Sequence, residues 1–523
     1  MRTSLLALAC LAVTLTGCGL VDTPRVAGPE PSATPSVAPS ATVSPSAAAS
    51  PGGSASPSPS ADSGPVLASV LNTDTPTLKV DLVGLNRVEG KHLLVRLRLT
   101  NLGQEKTPWS ASLQDEYGKD GSFRWTSGIG VLDTAARRWL MPYKTADGEC
   151  VCTDQEGDGL RYFIDPGQSI EVHAVVPAPS GDPDVTTVVT PATPPMVNVP
   201  ISDEPPPTPM PDLSGVSTVA HVVSTPSESL DKSEETTDDG RNLEVNLSSD
   251  VLFALNEAKL TAKAETILAR AATLINSSTG PTVAIAGHAD SSGTDAINDP
   301  LSRRRAEAVR RALAPLVTRS GVRFTAQGYG SRRPLYGNDD EEGRRRNRRV
   351  TVTFAKPQQG AGRPTANTDV LASPATPAPA ATTATAEVAG QPFSLEVTGL
   401  RRLPDGLGVL TYRITNKGGK ETWHHRLSNS TEWMSYKYIA ASNVRLTDPV
   451  ARRQYLPGRV QVATGDGTDA YCACTGVAGV RLGTEKFAPG QSREFYTLFE
   501  LPSAPTALTV KISDFPQLQA PIT

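Results

Sequence analysis

Residues 287–309 have the sequence GHADSSGTDAINDPLSRRRAEAV, and this stretch decides how the centre of the chain folds. It follows a short apolar strand, TVAIA at 282–286, and it ends in apolar residues at helical spacing. Asp290 is therefore expected at the end of a strand, and Arg305 on the helix that follows. Two opposite charges on rigid elements can clamp a small zwitterion or pair with each other, and the residues alone leave both interpretations open.

The surrounding residues predict an α/β domain over 243–356. Its strands are expected at 243–255, 282–286, 322–328 and 349–354, and apolar residues at helical spacing predict a first helix after residue 260. Asp299-Pro300 has the residue types of an N-cap and a first helical position, so the second helix is predicted to begin there. The order βαβαββ predicts a sheet covered by helices on one face.

Five motifs in this segment resemble the OmpA C-terminal family of peptidoglycan-binding domains. They are FALNEAKL at 253–260, GHADSSG at 287–293, NDPLSRRRA at 298–306, GYG at 328–330 and NRRV at 347–350. The resemblance covers the central segment alone. It implies an OmpA-like α/β sandwich whose ligand is the diaminopimelate of the peptide stem in cell-wall peptidoglycan.

The resemblance also assigns ligand-binding residues. Diaminopimelate carries an ammonium and a carboxylate on one carbon, so its site needs an anion and a forked cationic donor. In the family these are the Asp of GH-x-D and the Arg of LS-x-x-R, which correspond to Asp290 and Arg305. The family's supporting polar residues correspond to Asn256 and Asn298. Ala289 stands where the family often has Thr, so a hydroxyl is missing, and we expect this to change affinity rather than specificity.

The two segments that flank the centre, 75–200 and 392–523, are predicted to be copies of one all-β domain, an immunoglobulin-like sandwich. Both begin with alternating apolar and polar residues, and the same landmarks recur in the same order. The matched landmarks are Trp109 with Trp423, Asp133 with Asp448, CVCT at 150–153 with CACT at 472–475, and PGQS at 166–169 with PGQS at 489–492.

The remaining segments predict export and tethering. Residues 1–17 have the pattern of a signal peptide, and LTG before Cys18 resembles the lipobox of bacterial lipoproteins, so Cys18 is expected to carry the lipid. Residues 18–70 are predicted to be a Pro/Ser/Ala-rich tether, 201–242 an acidic linker and 357–391 a Pro/Ala/Thr-rich linker. No other stretch is apolar enough to cross a bilayer, which makes lipid the predicted anchor.

Two C-x-C pairs remain after the signal peptide: Cys150 with Cys152, and Cys472 with Cys474. They could be metal ligands, redox thiols or local disulfides. Two thiolates per domain are too few for a closed zinc site, and a redox dithiol is more often C-x-x-C. We therefore favour one disulfide within each repeat. His288 has no second ligand at suitable spacing, so no metal site is expected there.

These features predict a non-catalytic, lipid-anchored protein of the cell envelope that faces the wall, binds peptidoglycan and uses no cofactor. The net charge of −4 excludes neither anionic nor cationic partners. Export argues against nucleic acid as a partner for the arginines at 344–349. They are expected either to attract the anionic wall or to form a helix with a solvated face plus one or two structural arginines, and Arg349 is expected to support the fold near the site. No Walker loop, nucleophile elbow or HExxH motif is present. Two alternatives remain: an adhesin or receptor whose β repeats bind protein or glycan, and a wall hydrolase targeted by the central domain.

Overall fold

Strands make up a much larger share of the described part of the chain than helices do. The computed structural model describes residues 65–110, 113–115, 124–356, 382–428, 440–464, 467–475 and 486–523. The predicted signal peptide, Cys18 and residues 18–64 of the tether lie outside these residues, as do residues 357–381 of the second linker. Among the described helices, none has both the length and the apolar character needed to cross a membrane.

The first flanking segment folds as two sheets on a shared core. Its strands are β1 (Ala68–Leu71), β2 (Leu78–Val88), β3 (His92–Asn101), β4 (Thr107–Pro108), β5 (Gly130–Asp133), β6 (Arg138–Lys144), β7 (Phe163–Ile164), β8 (Ser169–Pro177), β9 (Val185–Val189) and β10 (Met196–Pro200). One sheet has the order β1-β2-β3-β8 and the other begins β10-β9-β5-β6. Leu82, Val95 and Val172 of the first sheet pack with Val131 and Val188 of the second. Alternation of apolar residues along each strand produces this buried layer.

The central segment alternates strands and helices. Its elements, with the two strands before them, are β11 (Ser217–Ser229), β12 (Glu234–Asp238), β13 (Asn242–Ser248), α1 (Ser249–Leu252), α2 (Ala262–Ser277), β14 (Thr282–Gly287), α3 (Asp295–Leu313), β15 (Arg323–Gly328), α4 (Glu341–Asn347) and β16 (Arg349–Ala355). The sheet order is β12-β13-β16-β14-β15, with β14 and β15 parallel. Ile267 of α2 and Val309 of α3 are buried with Val283 and Val352 of the sheet. The predicted helices and strands are present, but the strand predicted at 243–255 is too long, because it ends at Ser248 and α1 follows directly. Helix α4 is a further short element that was not predicted.

Two glycines bring helix α3 close to the sheet. A Cβ at Gly287, the last residue of β14, would lie 2.0 Å from the carbonyl oxygen of Ser302. A Cβ at Gly328, the last residue of β15, would lie 2.3 Å from the backbone nitrogen of Arg303. Only glycine permits this approach. It fixes the turn of α3 that carries Arg305 against the strand ends.

Helix α3 begins earlier than the sequence predicted. The expected start at Asp299-Pro300 is wrong, because the helix starts at Asp295 and Pro300 lies inside it. The backbone N–H groups of Ile297 and Asn298 donate to the carbonyl of Thr294, which fixes the first turn. An interior proline removes one hydrogen bond and its ring crowds the carbonyl four residues earlier, so Asp299-Pro300 is a good start signal that the structure overrides here.

The second flanking segment repeats the architecture of the first. Its strands are β17 (Thr382–Val388), β18 (Gln391–Arg402), β19 (Leu407–Asn416), β20 (Thr422–Trp423), β21 (Val444–Asp448), β22 (Arg453–Tyr455), β23 (Arg459–Thr464), β24 (Gly467–Cys472), β25 (Lys486–Phe487), β26 (Ser492–Glu500), β27 (Ala507–Ile512) and β28 (Leu518–Pro521). One sheet has the order β17-β18-β19-β26, and β22, β21, β27 and β28 pair in succession. Between these two groups of strands, Phe393, Tyr412 and Phe495 of the first group pack with Leu446 and Val510 of the second.

The two repeats match in register, with one correction to the predicted landmarks. Strand β4 pairs with β7 as β20 pairs with β25, with Ile164 and Phe487 in equivalent positions. This register aligns Trp109 with His424, and both side chains are fully buried. Trp423, the residue matched from the sequence, is 48% exposed. The match by residue type was therefore wrong by one position, because the core position is occupied by Trp in one repeat and His in the other.

Strand β11 joins all three folded segments, which corrects the prediction of an acidic linker at 201–242. Its first half pairs with β6 and β23, and its second half pairs with β12 and β22. Glu228 of β11 is 2% exposed and Glu235 of β12 is 6% exposed. The acidic residues are buried opposite arginines distant in sequence, which composition alone does not reveal. The linker predicted at 357–391 likewise ends early, because β17 begins at Thr382 and pairs with β18.

Candidate functional site

Asp290 lies in the turn between β14 and α3, and its side chain is buried. Nη1 of Arg348 donates to its Oδ2 at 2.7 Å, and the backbone N–H of Ser292 donates to its Oδ1 at 2.9 Å. Burial alone would raise the pKa of Asp290, but the hydrogen bonds from Arg348 and Ser292 outweigh it and hold the pKa below its ordinary value. The carboxylate is therefore ionised at neutral pH.

Arg305 lies on the face of α3 that packs towards the turn after α1. It is 7% exposed, its Nε donates to the backbone carbonyl of Glu257 at 2.9 Å, and its Cζ lies 5.2 Å from the centre of the Phe253 ring. Burial lowers the pKa of Arg305, and the negative charges of Asp250 and Asp290 offset part of this effect. Guanidinium is so basic that the group stays charged. Its two terminal nitrogens have no hydrogen-bond partner among the described residues.

The structure separates the two interpretations that the sequence left open for this pair. Within the described residues, Asp290 forms its ion pair with Arg348, and Arg305 forms none. The two charges interact through space, since the negative charge of Asp290 raises the pKa of Arg305, but they are not in direct contact. A forked donor thus remains beside an ionised carboxylate. This arrangement can accept a ligand with one negative and one positive group.

Asn298 and Asn256, the two predicted supporting residues, have different surroundings. Nδ2 of Asn298 donates to the backbone carbonyls of Asp290 at 3.2 Å and Gly293 at 3.1 Å, so this side chain holds the loop that carries the carboxylate. Asn256 is exposed, with a φ of 58°, a conformation that Asn tolerates better than most residues. The backbone N–H of Ala289 already donates to Gly330 at 2.9 Å. This position therefore offers a ligand neither a hydroxyl nor a free backbone donor.

Arg348 is the central charged residue that the sequence analysis missed. Besides Asp290, its Nε contacts Asp250 Oδ1 at 3.0 Å and its Nη2 contacts Glu341 Oε1 at 2.7 Å. The hydrogen bonds to Asp250, with those to Asp290 and Glu341, raise the pKa of Arg348 against the effect of burial. The sequence signal that could have identified Arg348 is the NRRV motif at 347–350. Arg348 was instead grouped with the other arginines of the basic run.

His288 contributes no charge to this region. Its ring stacks on Tyr329, with 5.5 Å between centres and 18° between planes. Burial, together with the positive charges of Arg349 and Arg333, lowers the pKa of His288 to about 3, so the ring is neutral. Across the described residues, no group of three or more His, Cys, Asp or Glu side chains is arranged to hold a metal ion.

The basic run at 344–349 contains two buried arginines, Arg346 and Arg349, in agreement with the interpretation that one or two of its arginines are structural. Arg346 is 7% exposed and forms ion pairs with Glu228 and Glu235. Arg349 is also buried, and its Nη2 donates to the backbone carbonyl of Arg333 at 3.1 Å. Because these guanidinium groups face protein carboxylates and carbonyls, they are not available to an anionic surface.

Each repeat contains one short disulfide. Cys150 is bonded to Cys152 and Cys472 to Cys474, with Cα–Cα distances of 5.2 and 5.1 Å. Cys150 is partly exposed, whereas Cys472 and Cys474 are fully buried. The two pairs occupy equivalent positions in the repeats but differ in access to solvent.

Known proteins match the central segment. The OmpA family model matches residues 252–348. Outer membrane porin F of Pseudomonas aeruginosa is 38% identical over 106 residues, which cover 20% of this chain and 30% of that protein. YfiB of Escherichia coli is 38% identical over 114 residues, covering 21% of this chain and 69% of that protein. The peptidoglycan-associated lipoprotein of Mesorhizobium japonicum is 33% identical over 111 residues, covering 21% and 66%. The chain thus spans less than a third of porin F, and the flanking repeats lie outside the family match.

Proposed function

The chain belongs to the OmpA family through residues 252–348, and on this premise we propose that it is a non-catalytic cell-envelope protein that binds peptidoglycan non-covalently. One relative is itself named a peptidoglycan-associated lipoprotein. The observation that carries the proposal is the state of the charged pair: Asp290 is ionised and held in place, while the two terminal nitrogens of Arg305 have no partner among the described residues.

In this proposal the ligand is the amino-acid end of diaminopimelate in the peptide stem. Its carboxylate receives the two terminal N–H donors of Arg305, a geometry that Lys could not provide. Its ammonium donates to Asp290, whose loop is fixed by Asn298. Asn256, exposed on the neighbouring turn, supplies a further polar group. Arg348 keeps the Asp290 carboxylate ionised and oriented.

The location we propose is the extracytoplasmic side of a membrane, with the chain facing the wall. Cys18 carries the lipid after removal of residues 1–17, and the tether separates the folded part from the membrane. The tether ends earlier than the predicted residue 70, because β1 begins at Ala68. Replacing Cys18 with Ser should release the protein from the membrane fraction. Retention of the Cys18→Ser variant in that fraction would contradict the anchor.

The β repeats supply the alternative function. As immunoglobulin-like sandwiches they would bind a protein or a glycan, and the central domain would only position them at the wall, as in an adhesin or receptor. The second alternative, a wall hydrolase, is tested by zymography of the whole chain. A zone of lysis in peptidoglycan-containing gel would overturn the non-catalytic proposal.

Co-sedimentation of the full chain with insoluble peptidoglycan tests the main proposal. Asp290→Ala and Arg305→Ala should both leave the protein in the supernatant. Arg310→Ala is the matched control, because Arg310 lies on the same helix but pairs with Glu307 in an exposed ion pair. Pelleting of both site variants at the level of the control would refute the site.

A further inference from the structure

Helix α4 connects the Asp290 loop with the strands that join the domains. On the loop side, Glu341 in its first turn accepts a hydrogen bond from Nη2 of Arg348 at 2.7 Å, and Arg348 in turn holds Asp290. Just before the helix, Oδ1 of Asn338 accepts the backbone N–H of Ser291 at 3.1 Å. Both contacts end on the loop that carries the proposed ligand-binding carboxylate.

The other side of α4 faces a cluster of buried charges, here called the junction cluster: Glu228, Glu235, Tyr336, Arg345 and Arg346. Arg345 Nη2 lies 3.0 Å from Glu228 Oε1, and Arg346 lies 3.0 Å from Glu228 Oε2 and 2.9 Å from Glu235 Oε2. The hydroxyl of Tyr336 donates to Glu235 at 2.7 Å. The glutamates belong to β11 and β12, whereas the arginines belong to α4, so the cluster joins two parts of the fold.

The second repeat takes part in the same cluster. Arg459 of β23 donates from Nη2 to the Tyr336 hydroxyl at 3.0 Å, and Gln454 of β22 donates from Nε2 to Glu228 Oε2 at 2.7 Å. Burial and the charge of Glu235 raise the pKa of Tyr336 to about 12, so its hydroxyl remains a donor. The position of α4 therefore depends on strands of the repeat as well as on the central sheet.

Buried ion pairs stabilise a structure only when their geometry is complete, because a single unpaired charge in the interior is strongly unfavourable. The junction cluster consequently restricts α4 to one position relative to β11. Any change in that position moves Glu341 and Arg348 together, since both lie at the ends of the same short helix. Besides Asp290 and Glu341, the side chain of Arg348 is held by Asp250, whose Oδ1 accepts from its Nε at 3.0 Å.

We propose that the junction cluster is a positioning element for ligand binding, an inference that rests on the proposed function. Glu228, Glu235 and Tyr336 fix α4 through Arg345 and Arg346. Helix α4 in turn fixes Asp290 through Arg348. The second β repeat is thereby coupled to the affinity of the peptidoglycan site. None of the junction residues touches the ligand. Their effect on binding passes through Arg348.

The test is calorimetric titration of the full chain with meso-diaminopimelate. Glu228→Gln and Tyr336→Phe should each lower the affinity about fivefold or more, the lower range of coupling between two sites. Tyr336→Phe keeps the ring and removes only the hydroxyl, so it provides a folded variant if Glu228→Gln does not fold. In both variants the acid limb of the binding curve should move to higher pH, because a displaced Arg348 no longer depresses the pKa of Asp290.

Two comparisons separate positioning from general destabilisation. In an Arg348→Gln background, Tyr336→Phe should cause no further loss of affinity, whereas an additive loss would overturn the proposal. Glu500→Gln is the matched control: Glu500 accepts from Thr225 of β11 at 2.6 Å and pairs with the buried Arg137 at 3.4 Å, away from α4. It should lower the melting temperature and leave affinity unchanged. If the wild-type chain does not bind, both proposals fall; if it binds and both junction variants bind equally well, only the coupling falls.

Discussion

Replacement of Asp290 by Asn separates the ligand-binding role of this residue from its structural role. The side chain keeps its size and loses its charge. Asp290 now accepts through both oxygens, from Arg348 at Oδ2 and from Ser292 at Oδ1. An amide has one oxygen, so one of these two donors must face an NH₂ group. Arg348 keeps its contacts with Asp250 and Glu341 and therefore does not become an unpaired charge.

The expected magnitudes follow from this count. One lost hydrogen bond lowers the free energy of unfolding by about 1 kcal/mol. The lost contact between the Asp290 carboxylate and a ligand ammonium is a charged hydrogen bond, worth about 1.5–3 kcal/mol. Since 1.4 kcal/mol corresponds to a factor of ten, binding should weaken roughly 10- to 150-fold. The loss of binding free energy should thus exceed the loss of unfolding free energy by about 1.5- to 3-fold.

Two measurements on the full chain check this expectation. Titration with meso-diaminopimelate gives the affinity, and urea unfolding gives the stability of the same sample. Asn298→Ala is a useful comparison, because it removes the two bonds that hold the loop and leaves the charge of Asp290 in place. An Asp290→Asn variant that binds as tightly as the wild type would refute the reasoning.

Three other outcomes are expected. Gly287→Ala should weaken binding and cost about 1–3 kcal/mol of stability, since its Cβ would lie 2.0 Å from the Ser302 carbonyl and displace α3; Gly419→Ala, which meets no atom within 4 Å, is the control, and equal effects would contradict the packing argument. Urea unfolding should need less denaturant at about pH 5 than at about pH 7. Burial lowers the pKa of His221 and His424 to about 4 and of His288 to about 3, so below about pH 6.5 the unfolded chain binds protons that the folded chain does not. Equal midpoints at the two pH values would exclude this linkage. Mild reduction and alkylation under native conditions should label Cys150 and Cys152 before the buried Cys472 and Cys474, and mass spectrometry that found equal labelling would contradict the difference in exposure.

Local patterns predicted the central elements because those elements are determined by nearby residues. The strand before GHAD and the helix carrying LSRRRA follow directly from apolar spacing, and this placed Asp290 just after the strand and Arg305 on the helix. The start of α3 was wrong because Asp299-Pro300 is a good N-cap pair wherever it occurs, and the hydrogen bonds to Thr294 begin the helix earlier. A local signal identified the element, and only the backbone contacts determined its boundary.

The acidic linker was wrong for a different reason. Glu228 and Glu235 lie more than a hundred residues before Arg345 and Arg346, so nothing near them in the sequence indicates a partner. The acidic segment and the arginine run each have the composition of a solvent-exposed segment. In the fold, their side chains form a buried cluster with one another. The pairing of Arg348 with Asp290 was missed for the same reason. Both residues were noted in the sequence, but the sequence does not give the distance between them.

Competition between free meso-diaminopimelate and insoluble peptidoglycan for the full chain tests the central proposal most directly. The chain should pellet with peptidoglycan alone and return to the supernatant as free diaminopimelate increases, because both occupy Arg305 and Asp290. Glutarate, a dicarboxylate that has no ammonium group, should not release the chain from the pellet. A chain that stays with the pellet at saturating diaminopimelate would contradict the clamp, whatever else holds the protein to the wall.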